Sequence, residues 1–333
     1  MIKLNQITDI YFPYKKGKFV DDLIHLPFFY SYKDDVIPLY NDDKEVFCEK
    51  LKSIFIKLLS TIIEQKNYDD EFFSFSYFDD SGKFDFRGNN MGSNDGLIVH
   101  LRVIPEIPSI HSLRLSPHIK ANLLSPELNG GGLILFIAQT GQGKSTLMDS
   151  VIIERLNIFG GFCVTCEDPI EAVIEGYHKA GYCAQQGVTA DVDMFGLIRN
   201  ASRSLPAIGH NMLMIGEVND VNSVVQGIDA SANGNIVLMT GHGKSIEDFL
   251  NRIFAMYASV KDEKLARQIL KSTLKVAMYW NRIWDNNTSG WDKGIYSGNY
   301  LSTIEGNDQN KEIANLVGEG KLSALKSHYI DLD

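Results

Sequence analysis

The chain has little cysteine, proline or tryptophan: 4, 9 and 3 of its 333 residues. Its four cysteines, Cys48, Cys163, Cys166 and Cys183, are too few for a disulfide scaffold and fit a reducing compartment. No run approaches the roughly 20 apolar residues that cross a bilayer. Met1 to Ile10 lacks the charged start and apolar stretch of a secretory signal. The expectation is a cytoplasmic protein with no intrinsic membrane segment, recruited to a membrane only through partners. Positive charge is also short, with 32 Lys plus Arg against 42 Asp plus Glu and a net charge of -10. That balance argues against coating nucleic acid by bulk electrostatics, so no direct nucleic-acid binding is expected. What remains, 44% apolar and 22% charged residues, is a globular composition long enough for about two domains.

Residues 1–110 are rich in aromatic and acidic residues, and segments such as Phe72 to Phe78 and Leu97 to Ile104 read as strands. Between Val46 and Ile63, apolar Phe47, Leu51, Ile54, Phe55, Leu58, Leu59 and Ile62 have the spacing of a helix with one buried face. This half reads as a small α+β domain. Pro105, Pro108, Pro117 and Pro126, with Asn129-Gly130-Gly131-Gly132, place a linker over 111–130. From Leu133 the pattern becomes short, almost wholly apolar runs between helical segments: Leu133 to Ala138, Phe162 to Cys166, Met212 to Ile215 and Ile236 to Met239. Such runs mark strands covered on both faces, so 131–260 reads as an α/β domain with a mainly parallel sheet. Residues 261–333 read as helical, loosening into a Gly/Asn-rich stretch from Asn286 to Asn310.

Ligands of such sheets sit beyond the carboxyl ends of the strands. There the segment Ala138-Gln139-Thr140-Gly141-Gln142-Gly143-Lys144-Ser145-Thr146 follows a strand and opens a helix running to about Phe159. A phosphate-binding loop needs small residues so that amides can turn inward, a lysine for the β and γ phosphates, and a hydroxyl for magnesium. Gly141, Gly143, Lys144 and Ser145 supply these, with Gln139, Thr140, Gln142 and Thr146 completing the loop. ATP and Mg2+ are the implied substrate and cation. Hydrolysis further needs a carboxylate near magnesium and another to polarise water. Glu217 ends the run Met212 to Gly216, and Glu167 with Asp168 ends Phe162 to Cys166. Cys163 and Cys166 form a CxxC, but residues three apart in a strand point to opposite faces, so they read as separate buried thiols.

Taken together, these segments resemble the secretion ATPase superfamily of type II and type IV systems. The resemblance rests on the phosphate loop, Glu167-Asp168-Pro169-Ile170-Glu171, Arg199-Asn200-Ala201-Ser202-Arg203, Gly216-Glu217 and Thr240-Gly241-His242, in that order, and it spans about residues 84–330. Within the superfamily it is similar to pilus retraction ATPases and the Dot/Icm-type secretion ATPase. The resemblance implies a PAS-like N-terminal domain, a RecA-like ATPase domain, a homohexamer, and inner-membrane partners in a pilus, secretion or conjugation apparatus. It implies that Glu167 positions water, that His242 senses the γ-phosphate, and that Arg87 and Arg102 reach the phosphates. Arg199 and Arg203 would share a helix face, either near a subunit interface or in solvent. Gly318 stands where a short C-terminal motif of retraction-type motors has arginine, and near the phosphates Asp85, Asn219 and Asn235 stand where relatives have arginine, arginine and histidine. Fewer cations around the phosphates leave a second reading open, a nucleotide-gated assembly or scaffold subunit with little hydrolysis.

Overall fold

The computed structural model describes residues 7, 9–14, 29–32, 35–38, 45–64, 72–79, 82–93, 96–104, 106–189, 192–283, 295–304 and 308–332, and they fall into two compact units. The first takes in residues up to Glu106 together with Glu171–Val173. Its strands are β1 (Asp9–Tyr14), β2 (Phe29–Tyr32), β3 (Asp35–Pro38), β4 (Phe72–Asp79), β5 (Gly82–Ser93) and β6 (Gly96–Ile104), and its helix is α1 (Glu45–Glu64). The sheet runs β3-β2-β1-β6-β5-β4, antiparallel throughout. Alternate residues Phe73, Phe75 and Tyr77 of β4 are buried while Phe78 is exposed, the period of a strand with one covered face. Phe55, Leu58, Leu59 and Ile62 of α1 bury against them along one helical stripe, as the spacing predicts. The arrangement is the PAS-like α+β domain that the resemblance implies.

The second unit holds α2 (Pro117–Leu123), β7 (Gly132–Ala138), α3 (Lys144–Phe159), β8 (Gly161–Glu167), β9 (Gly176–His178), β10 (Gly181–Gly187), α4 (Met194–Ser204), β11 (Asn211–Ile215), α5 (Val221–Ala232) and β12 (Ile236–Gly241). After these come α6 (Ile246–Ala258), α7 (Glu263–Thr273), β13 (Leu274–Ile283), β14 (Ile295–Ser302), α8 (Asp308–Glu319) and β15 (Ile330–Asp331). The strand order is β15-β14-β13-β7-β12-β11-β8-β10-β9, parallel from β13 to β10 and antiparallel at both flanks. The apolar runs alternate between two cores. Leu133, Leu135 and Ile137 pack toward α4 to α8, whereas Ile134, Phe136 and Ala138 pack toward α2 and α3. Such burial on both faces is why these strands carry almost no polar residues, and it gives the RecA-like, doubly covered sheet expected.

Two stretches differ from the sequence reading. The segment 111–130, expected as a linker, is packed structure. Ile110, Leu113, Leu115, Ile119, Leu123 and Leu128 are buried in the same core as α3. Its prolines start elements: Pro117 follows the cap Ser116 of α2, and Pro126 follows the cap Ser125 of a 3-10 turn, positions where a missing N–H costs nothing. Buried Arg155 fastens the segment, donating to the Leu123 and Ser125 carbonyls and to Asn129. Residues 261–333 contribute α7 and α8 as expected, and also β13 to β15. No glycine or proline separates α7 from β13, so the switch from helix to strand carries no punctuation. Pro105 and the parts of the loose stretch within 284–294 and 305–307 lie outside the described residues, as does the side chain of Cys48.

Candidate functional site

Parallel strands bring six carboxyl ends to one edge of the second unit, those of β13, β7, β12, β11, β8 and β10, four of which (β7, β12, β11 and β8) the apolar runs predict. β7 ends at Ala138 and α3 begins at Lys144, so residues 139–143 form the turn between them. Gly143 takes the αL conformation at the helix N-cap, with φ 81°, which a side chain would strain. No acidic residue stands in the first turn of α3, so its helix-end amides and positive dipole end face an anion position with no competing charge in that turn. The Lys144 ammonium folds back over the loop, donating to the Ala138 and Gln139 carbonyls, each at 3.1 Å.

The loop lysine meets the end of β12. Lys144 Nζ lies 3.4 Å from His242 Nδ1, and His242 Nε2 lies 3.1 Å from Glu217 Oε1. An ammonium can only donate, so this contact makes Nδ1 an acceptor and leaves the proton on Nε2, where it is donated to Glu217. Nδ1 is also 3.2 Å from the Ala138 carbonyl, to which it donates only when protonated. Gly241 makes this approach possible, since a Cβ there would stand 1.9 Å from the Phe249 ring of α6. The adjoining Thr240 hydroxyl donates to the Gly216 carbonyl, and Val218 N–H donates to the Thr240 carbonyl at 3.1 Å, joining the ends of β12 and β11.

The two carboxylates differ. Glu217 is 39% exposed at the side chain, and its Oε1 also accepts from Asn219 at 2.8 Å. Glu167 is 3% exposed, and its Oε1 accepts from Thr165 at 2.6 Å and Gln185 at 3.0 Å. Gln185 turns its own oxygen to the Ile174 and Glu175 amides, so it ties the strand end to the loop that follows. Burial, and secondarily the Glu167 charge, pushes the Cys166 thiol up to about 12. Cys163 lies in the other core beside Cys183, and burial raises its thiol as well. The two thiols of the CxxC therefore lie on opposite faces of β8, as the strand period predicts.

Lys144, His242 and Glu217 are thus brought together, and Glu167 ends the neighbouring strand. Arg87 and Arg102 lie in the first unit, directly opposite each other on β5 and β6. Arg102 Nε donates to Asp9 at 2.9 Å, and His100 Nε2 lies 2.6 Å from the same oxygen. Burial would raise the Asp9 carboxyl, but these hydrogen bonds and charges outweigh it and hold it down at about 2. Asp85, in an arginine's expected place, pairs with Lys83 at 2.9 Å and accepts from Ser76. Arg199 and Arg203 are exposed on α4, with Arg199 over the Phe195 ring.

Asn235 departs from its expected position. It precedes β12 at the amino end, where its amide donates to the Ala230 carbonyl at 3.0 Å. At about 3.3 Å per residue the strand separates it from His242 by about 20 Å, so it cannot donate to a phosphate in the loop. Sequence reasoning also missed two residues of the carboxyl edge. Gln185 lies on the polar strand β10, and Trp280, on a strand read as helix, donates to the loop from 138 residues away.

A profile of the Type II/IV secretion system protein family matches residues 39–279. The competence protein ComGA of Bacillus subtilis is 28% identical over 155 residues, 46% of this chain and 41% of that protein. The type IV pilus ATPase PilU of Pseudomonas aeruginosa is 29% identical, over 47% of this chain and 38% of its own. The chain therefore spans about two-fifths of the length of these relatives. Among solved structures, the pilus retraction motor PilT with bound ADP superposes with a TM-score of 0.70 at 22% identity, covering 98% of this chain and 89% of the other. The Legionella pneumophila ATPase DotB gives 0.66 at 18% identity, covering 97% and 84%.

Proposed function

The chain belongs to the Type II/IV secretion system protein family, and we propose that it is a homohexameric ATPase motor serving a type IV pilus, secretion or conjugation apparatus, of the retraction type. The observation that carries this reading is the continuous contact from Lys144 through His242 to Glu217 at the mouth of the phosphate loop. The loop fits a phosphate chain: it offers helix-end amides, a lysine resting on the loop's own carbonyls, and no competing acid in the first turn.

In this reading Lys144 exchanges the Ala138 and Gln139 carbonyls for phosphate oxygens of ATP. Ser145 and Glu217 are the oxygens that hold Mg2+, directly or through water. When bound, the cation neutralises charge on the phosphates. His242, accepting from Lys144 at Nδ1 and donating to Glu217 at Nε2, senses the γ-phosphate together with the two groups it joins. Glu167 orients the attacking water, its Oε1 fixed by Thr165 and Gln185. Arg87 and Arg102 contact the γ-phosphate. The proposed divisions are a PAS-like domain up to Glu106 and an ATPase domain from Ile107 onward, which takes in the packed segment 111–130 and the strands of 261–333. We place the protein in the cytoplasm at the inner face of the cytoplasmic membrane, held by inner-membrane partners. Among the described residues no helix is long and apolar enough to cross a membrane.

The second reading, a nucleotide-gated scaffold, is favoured by one observation: Glu167 is buried and already hydrogen-bonded. Magnesium-dependent ATP turnover per protomer, measured as protein concentration rises, separates the two. A ring motor predicts specific activity that climbs and then levels as hexamers assemble. ATP binding without turnover at any concentration favours the scaffold.

A further inference from the structure

Trp280 is wholly buried on β13, paired with Ala138 where β7 enters the phosphate loop, and its ring meets Phe136 edge-on with centroids 6.3 Å apart. For packing alone any apolar group of the indole's shape would serve. The indole adds an N–H that needs an acceptor once buried, and it donates to the carbonyl oxygen of Gln142, inside the loop, at 2.9 Å. The peptide that follows Gln142 is trans, and the C=O and N–H of a planar trans peptide point in opposite directions. Drawing the Gln142 oxygen toward Trp280 therefore turns the Gly143 N–H away from the core. At Gly143 the backbone is in the αL region, where a glycine peptide can rotate at little cost.

We propose that Trp280 is a positioning residue that locks the Gln142–Gly143 peptide with its N–H toward the phosphates before nucleotide arrives; this rests on the loop being a nucleotide site. Without the indole N–H the Gln142 carbonyl loses that hold, and a peptide turned with its oxygen toward an anion repels it. Ordering the loop in advance removes that cost from binding.

The test is calorimetric titration of the full chain with ADP, for the wild type, Lys144→Ala, Trp280→Phe, and a chain carrying 3-benzothienylalanine at position 280 only. The last keeps the shape of indole and replaces its N–H by sulfur. ADP affinity is expected to fall about 3- to 10-fold in both Trp280 replacements, the net worth of one hydrogen bond. The KM for ATP should rise by a similar factor with kcat kept, and the isostere, which keeps the packing and loses one hydrogen bond, should stay folded with the nucleotide-free unfolding temperature lowered by only a few degrees. Unchanged ADP affinity and KM in the isostere overturn the positioning role, including where Trp280→Phe loses affinity only because it unfolds. Wild type that binds ADP no better than Lys144→Ala overturns the nucleotide reading itself, a failure distinct from that of Trp280.

Discussion

The two ends of β12 bear His242 and Asn235, the second standing where the resemblance puts a histidine, and the fold gives them unlike surroundings. Beyond the carboxyl end, His242 touches the loop lysine and the Glu217 carboxylate. Before the amino end, Asn235 spends its side-chain amide on the last turns of α5 and its carbonyl on Gly132. A parallel sheet gathers chemistry from many strands at one edge and leaves the opposite edge to turns and caps. Residues seven positions apart in the chain can thus do unrelated work, while Lys144 and His242, far apart in sequence, are in contact.

Substitutions at the two ends should separate accordingly. His242→Ala is expected to lower ATP turnover about 100-fold, the scale seen when one preorganised polar group is removed from an active site; ADP affinity, read by calorimetry, should stay near wild type. Gly241→Ala should come next. Its Cβ would enter the Phe249 ring, and such overpacking costs about 1–3 kcal/mol, visible as a lower denaturation midpoint and reduced turnover. Asn235→Ala should have the smallest effect: about 1 kcal/mol of stability from a lost hydrogen bond, with turnover unchanged. Asn235→His should likewise leave turnover where it is, and a marked gain would place position 235 back in the site.

How much of this was readable from the residues alone depends on whether they are local. The phosphate loop is contiguous, and its flanking strand and helix follow from an apolar run and from glycines that admit αL backbone, so β7, the loop and α3 were legible together. β8, β11 and β12 were legible for the same reason, burial on both faces. β10 was not, because its Gly-Tyr-Cys-Ala-Gln-Gln-Gly run is polar, and a polar strand next to the sheet edge resembles a loop. β13 was hidden by its direct junction with α7. The prolines of 105–126 looked like breakers because proline at a helix start and proline in a linker are the same residue; only the capping serines distinguish them. The roles of Gln185 and Trp280 depend on contacts across the fold, and no spacing in the chain announces them.

The central claim is that the carboxyl edge binds ATP through Lys144 and hydrolyses it through Glu217. Its most direct test compares ADP binding and ATP turnover for Lys144→Ala and Glu217→Gln beside the wild type. The account predicts that Lys144→Ala loses binding and turnover together, while Glu217→Gln keeps binding and stops turnover. Near-normal turnover in both variants would contradict it.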